Sequence, residues 1–196
     1  SNPLLGIEMF KESPGRLPVL QPEEETALLD ACRPWLRWPV RLAILTGCRC
    51  SELLALRWKH VDFNGQAALI VQDSKSGSAR RVPVHPALVE ELRSRRGHPE
   101  GYVVMLDDGR QPNRHTVYEA FRAARAKIDR TDLRFHDLRH VAGTRLVGAG
   151  ANPPEDADFR GHKTLEMARR YAHTSWVRLH DLVGSMPVSE SPSNEK

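Results

Sequence analysis

Asn64-Gly65-Gln66-Ala67-Ala68-Leu69-Ile70-Val71 leads through Gln72-Asp73-Ser74-Lys75-Ser76-Gly77-Ser78 into Ala79-Arg80-Arg81-Val82-Pro83-Val84. Turn formers bound the apolar run from Ala67 to Val71 on both sides, and Arg81 to Val84 alternates with the two-residue repeat of a strand. The stretch predicts a small antiparallel hairpin with Lys75 at its turn. Outward from it the repeat changes to three and four residues, as in helices. Upstream, Gln21-Pro22 followed by Glu23, Glu24 and Glu25 is a helix start, because proline suits the first turn and acids complement the positive end of the helix dipole. A second helix is expected over residues 40–45, ended by Thr46-Gly47, and a short one over 51–58. Downstream, helices are expected over 86–96, over 116–128 (Val117, Phe121, Ala124 and Ile128 share a face), over 136–147, just before Gly161, and over 175–182. Asn152-Pro153-Pro154 reads as a polar connection. The predicted class is α+β, predominantly helical with a small antiparallel β-sheet.

The chain has 196 residues, enough for one hydrophobic core without disulfides. At 40% hydrophobic and 28% charged, its composition excludes collagen-like, coiled-coil and wholly disordered classes. No apolar run approaches the roughly 18 to 20 residues that span a bilayer, and the start lacks the order of a signal peptide, so no membrane partner and a cytoplasmic location are expected. Cys32, Cys48 and Cys50 are odd in number, and Cys-Arg-Cys suits neither a zinc knuckle nor a redox pair, so reduced thiols are expected. Residues 1–19 read as a linker or N-terminal arm whose first Ser-Asn resembles a tag scar, 20–183 as one domain, and 184–196, with two prolines and four serines, as a disordered tail. Residues 1–30 hold two bases against six acids, which leaves 27 bases against 19 acids for the rest. A basic body points to a polyanionic partner such as nucleic acid.

Three further segments concentrate basic and nucleophilic side chains beyond what core packing requires: Thr46-Gly47-Cys48-Arg49-Cys50-Ser51-Glu52, His136-Asp137-Leu138-Arg139-His140, and Gly161-His162 with Tyr171 nine residues beyond. On a helix, His136, Arg139 and His140 share one face and can converge on a single anionic group. Two histidines four apart also begin a zinc-hydrolase motif, with His162 as a third ligand, but Asp137 stands where that motif has glutamate. Arg139 on the same face repels a metal and suits a phosphate. Arg49 follows a glycine and precedes a capped helix start, and Glu52, three residues on, is placed to hold it by a charge-assisted hydrogen bond. Taken singly, each residue is equally at home as an ordinary surface or half-buried side chain.

Together and in this order the segments resemble the catalytic domain of the tyrosine recombinases, the family of phage integrases and Xer-type resolvases. That family's pattern is an arginine in Thr-Gly-x-Arg-x-Ser-Glu, a lysine in a β-turn, a His-x-Leu-Arg-His box, a Gly-His, and a tyrosine nine residues on. Arg49, Lys75, His136 with Arg139, His162 and Tyr171 match it, with Glu52 and His140 in support, over about residues 20–182. The sequence departs from the pattern at Arg160, where the family usually has leucine, at Met167 and Ala168, often threonines, and in the acidic, proline-rich Asn152–Asp156 connection. The resemblance also implies a catalytic piece of a longer protein, because the family's N-terminal DNA-clamping domain has no counterpart here.

The resemblance implies transesterification at a DNA phosphodiester without metal, cofactor or ATP. Tyr171 would attack phosphorus, form a 3′-phosphotyrosyl link and expel a 5′-hydroxyl. Arg49 and Arg139 would hold the non-bridging oxygens, His136 and His162 would add hydrogen bonds, and Lys75 would protonate the leaving oxygen. It further implies double-stranded DNA as partner and a homotetramer on DNA, with the free chain a monomer, and a segment after the tyrosine (Trp176, Val177, Leu179, Leu182 and Val183) that docks on a neighbouring protomer or packs on its own chain. Type IB topoisomerases share this chemistry. A zinc hydrolase through His136, His140 and His162, or a DNA-binding module without catalysis, are the alternatives.

Overall fold

The computed structural model describes residues 20–72, 79–161 and 176–188. The fold is built around a helix that is apolar on almost every side, α2 (Pro34–Thr46), in which eleven of thirteen residues are buried. A helix hydrophobic all round belongs in the middle of a core. It is longer than the 40–45 expected, because Pro39 lies inside it; proline removes one amide donor and usually ends a helix, but here Trp35, Leu36 and Trp38 on the preceding turn are buried and hold it. Before it stands α1 (Pro22–Ala31), whose Glu24 carboxylate accepts from the Gln21 amide at 2.9 Å, as the acidic start predicts. After it come α3 (Cys50–Ala55) and a single 3₁₀ turn, Trp58–His60. The expected 51–58 helix therefore stops early, where Arg57 bridges to Tyr102 instead.

The hairpin is present as β2 (Ala68–Gln72) and β3 (Ala79–Pro83), paired antiparallel with Leu69 opposite Val82 and Val71 opposite Arg80. A two-residue strand, β1 (Val61–Asp62), extends it to the order β1-β2-β3. Residues opposite or two apart share a face, so Leu69, Val71, Val82 and Arg80 all point to the same side, while Arg81 points to the other. The turn, 73–78, with Lys75, lies outside the described residues.

Helices α4 (Pro86–Ser94), α5 (Arg114–Ala126), α6 (Asp137–Gly148), α7 (Pro153–Arg160) and α8 (Trp176–Gly184) complete the described chain. Asn152-Pro153-Pro154 is not a connection but the start of α7. The Asn152 side chain accepts from the Glu155 amide at 3.0 Å and Glu155 accepts from the Asn152 amide at 2.8 Å, while the two prolines occupy positions that need no amide donor. α6 packs on α2 and α7 on α6. Buried Arg145 of α6 joins both ends of the described chain: it pairs with Glu25 at 2.5 Å and donates to the carbonyls of Leu20 and Pro187.

Helix α8 packs on its own chain. Leu179, Leu182 and Val183 are buried, Arg81 stacks over the Trp176 ring at 4.4 Å, and Arg178 pairs with Glu155 at 2.5 Å. Packing on the core extends beyond Gly184, the expected start of the tail: Met186 is buried and its carbonyl accepts from His85 Nε2 at 3.2 Å. Cys32, Cys48 and Cys50 are buried free thiols, and burial pushes Cys32 up to about 12 and Cys50 to about 11, which leaves both unreactive at neutral pH. No helix among the described residues is long and apolar enough to cross a membrane.

Candidate active site

Two helix ends create the place where the site forms. α2 ends at Gly47 in the left-handed conformation (φ 60°), and α7 ends at Gly161 in the same conformation (φ 65°). Such ends leave carbonyls without partners and carry the negative end of the helix dipole. Arg139, in the first turn of α6, which packs against both helices, donates to the Gly47 carbonyl at 2.6 Å and to the Arg160 carbonyl. Arg139 as a whole is 3% exposed. Gly47 is required twice: for its positive φ, and because a Cβ there would stand 3.0 Å from Phe159 Cε1.

Burial, then the nearby charges of Arg49 and Arg80, bring Arg139 down to about 10. It remains a cation at pH 7. A lysine, whose ordinary value is about two units lower, would be held far less securely in the same place.

Arg49 and Glu52 form the second half. Glu52 is in the first turn of α3, where its carboxylate accepts from the Arg49 amide at 2.7 Å and from Arg49 Nη1 at 2.8 Å. The pairing expected from the three-residue spacing is therefore present. A partner that the sequence reading overlooked joins it: Arg80 of β3 donates Nη1 and Nη2 to the two oxygens of Glu52, each at 2.9 Å. The Glu52 side chain is 6% exposed. Burial alone would raise its pKa, but the hydrogen bonds and charge of Arg80, with those of Arg49, outweigh burial and hold it below the ordinary 4.5. The signal for Arg80 was present in the alternation of the hairpin, since Val84, Val82 and Arg80 fall on one face and an arginine in an inward row requires a buried partner.

His136 precedes α6, and its ring meets that of His140 edge-on at 5.6 Å. Burial lowers the pKa of His136, and His140, Arg139 and Arg49 lower it further. The neutral imidazole has one lone pair that can accept a proton and one N–H that can donate a hydrogen bond, and burial with the neighbouring cations makes it a weaker base than a free histidine. His136 also borders a cavity of about 320 Å³ between α5 and residues 133–136, floored by Phe121, Leu133 and Phe135 and rimmed by Arg122, Arg125 and Arg134. Among the described residues no three histidine, cysteine or acidic groups converge on a point that would hold a metal ion.

The structure thus brings together Arg49, Glu52, His136, Arg139 and His140. Lys75, His162 and Tyr171 lie outside the described residues, but residues that flank 73–78 and 162–175 reach this cluster. Arg80, one residue after the strand begins, touches Gly161 closely enough that a Cβ on Gly161 would fall 2.9 Å from its side chain. Arg160, where the family pattern has leucine, is paired with Asp156 through Nε at 2.8 Å and through Nη2. The pair lies over Gly143 of α6, where a Cβ would meet Arg160 Nε and Asp156 Oδ1 at 2.8 Å. The acidic connection and the arginine are therefore complementary departures, which leave the Arg160 carbonyl in place for Arg139.

A profile of the phage integrase family matches residues 18–176. The integrase of Salmonella phage P22 is 32% identical over 170 residues, 81% of this chain and 44% of the relative. A shufflon-specific DNA recombinase of Escherichia coli is 32% identical over 177 residues, 88% of this chain and again 44% of the relative. The chain thus spans less than half the length of these curated relatives. Among solved structures, the integrase of mycobacterium phage Brujita superposes with a TM-score of 0.71 at 20% identity, over 100% of this chain and 67% of that one. A lambda integrase tetramer bound to a Holliday junction gives 0.61 at 24% identity, over 80% and 50%.

Proposed function

The chain belongs to the phage integrase family, and from that premise we propose that it is the catalytic portion, over residues 20–183, of a site-specific DNA recombinase that cuts and rejoins duplex DNA through a 3′-phosphotyrosyl intermediate. The observation that supports the reading most is the delivery of two guanidiniums, Arg49 and Arg139, from distant parts of the chain to one locus beside a neutral His136.

In this mechanism the Tyr171 oxygen attacks phosphorus as the bond to the 5′-oxygen breaks. A free tyrosine has a pKa of about 10, so its anion is roughly 4 kcal/mol uphill at pH 7. His136 takes the phenol proton, and the neighbouring cations lower the cost of the developing charge. Arg49 and Arg139 offer planar forks of donors to the non-bridging oxygens, and loss of either is expected to slow the step by about 10² to 10³. His162 adds a hydrogen bond, and Lys75 protonates the departing 5′-oxygen. The phosphotyrosyl ester conserves the energy of the broken bond, so resealing by a DNA hydroxyl requires neither ATP nor a metal. Phosphate contacts by the basic body fix the register of the duplex, and the working assembly is a homotetramer on DNA in the cytoplasm.

The test is covalent capture. The chain is incubated with a pool of nicked duplexes of randomised central sequence, whose cleavage releases a short fragment and traps the protein, followed by a denaturing gel. A protein–DNA adduct that is absent with Tyr171→Phe and unaffected by chelator supports the reading. An adduct that persists in Tyr171→Phe, or that chelator abolishes, overturns it, and a chain that binds DNA without any adduct is a binding module.

A further inference from the structure

We propose that Arg80 is a positioning residue for the reaction, acting through Glu52 to hold the Arg49 guanidinium in place. The inference rests on the strand-transfer reading and goes beyond it, because Arg80 is outside the set of residues that the reading uses. Both Nη groups of Arg80 go to the Glu52 carboxylate at 2.9 Å each, and its side chain is 12% exposed. Those contacts turn it away from a substrate and make it a buried strut. Glu52 in turn holds Arg49 at both its amide and its guanidinium, and the Arg49 side chain, at 39% exposed, is the member of the three that reaches the surface.

The arrangement follows from charge. A carboxylate bound by one arginine alone competes for that arginine with any phosphate that approaches. Two parallel hydrogen bonds from Arg80 satisfy about half of the acceptor capacity of Glu52 and its charge offsets that of the carboxylate, so the Arg49–Glu52 bond becomes an orienting contact and Arg49 keeps positive charge for a ligand. The placement of Arg80 adds a second consequence. It is the second residue of β3, two residues after the Lys75 turn ends, and its side chain lies against Gly161, the residue before His162. One guanidinium therefore fixes the roots of two segments that carry reacting groups relative to Arg49. Displacement of a catalytic group by about 1 Å can cost 10²-fold in rate, so loss of the strut is expected to slow chemistry by about tenfold to a hundredfold with little effect on DNA affinity.

The experiment uses the DNA recovered by covalent capture and compares the unsubstituted chain with Arg80→Met, Arg80→Lys, Glu52→Gln and the double variant Arg80→Met/Glu52→Gln. Measured are the single-turnover rate of adduct formation, the DNA concentration at half saturation, and thermal unfolding. Expected are a ten- to hundredfold lower rate in Arg80→Met with half saturation within about twofold, partial recovery in Arg80→Lys, and a double variant no slower than Glu52→Gln. Multiplicative losses in the double variant, a rate within twofold of the unsubstituted chain, or a change confined to half saturation would each overturn the proposal. Where Arg80→Met does not fold, Arg80→Lys decides: it retains one donor of the fork, so a rate equal to that of the unsubstituted chain overturns the proposal and a drop in rate without a drop in affinity supports it. An unsubstituted chain that forms no adduct refutes the strand-transfer reading itself, whereas a reactive unsubstituted chain with an equally reactive Arg80→Met refutes only the role of Arg80.

Discussion

Replacement of Arg139 by lysine is the most direct perturbation of the arrangement at the two helix ends, and its effect on stability can be worked out independently of any DNA. The guanidinium spans the carbonyls of Gly47 and Arg160. A single ammonium at the end of an unbranched stem cannot occupy both ends of that fork. One charged hydrogen bond, about 1.5 to 3 kcal/mol, is lost, and a buried carbonyl is left unsatisfied at about 1 to 3 kcal/mol, so a net loss of about 3 kcal/mol is expected after some relaxation. For a chain of this size that corresponds to a drop in Tm of about 6 to 12 °C. The pH dependence gives an independent check. Burial and the charges of Arg49 and Arg80, which bring Arg139 to about 10, would press the lysine below its own ordinary value. Between the two values the unfolded chain binds more protons than the folded one, so the deficit of the variant shrinks as pH rises toward the ordinary lysine value of about 10.4. Urea denaturation of both proteins between pH 7 and 9.5 measures both quantities. A loss below about 1 kcal/mol, or a deficit that widens with pH, would refute the reasoning.

Gly143→Ala is expected to destabilise the chain by about 1 kcal/mol, because the overpacking against Arg160 and Asp156 exceeds the helix-propensity gain, whereas Gly148→Ala, with open space around it, is expected to be neutral or stabilising; equal effects in thermal unfolding would refute the packing. Glu52, held below its ordinary 4.5, contributes stability that is complete above that value and is lost as pH falls through its folded value. Glu52→Gln should therefore be less stable than the unsubstituted chain at pH 7, with the gap closing in acid, and denaturation curves at pH 7 and 3 test this. His136 must be neutral to accept a proton, and burial with its cationic neighbours keeps it so. The rate of adduct formation should thus lose activity on the acid side only below the ordinary histidine value of about 6.5, and an acid limb centred above 7 would contradict the role of His136 as base.

What could be read from sequence and what could not divide along a physical line. Periodicity revealed the helices and hairpin because each repeats a short-range rule. It erred at two places where proline reads as a breaker: at Pro39, where the tertiary burial of its neighbours carries α2 through a residue that usually stops a helix, and at Pro153-Pro154, where a local capping box between Asn152 and Glu155 turns helix breakers into helix starters. The site divides in the same way. Arg49 and Glu52 are three residues apart and could be paired on paper, whereas the bond from Arg80 to Glu52 crosses 28 residues and appears only when the hairpin is laid beside α3. The departure at Arg160 shows the same logic. Judged alone, an arginine in place of leucine disturbs an apolar position; judged with Asp156 four residues earlier and Gly143 beneath, it is one member of a set whose charge and volume cancel. The group that matters to Arg139 is the Arg160 carbonyl, which any residue supplies, so the side chain there is constrained by Asp156 and Gly143 and not by Arg139.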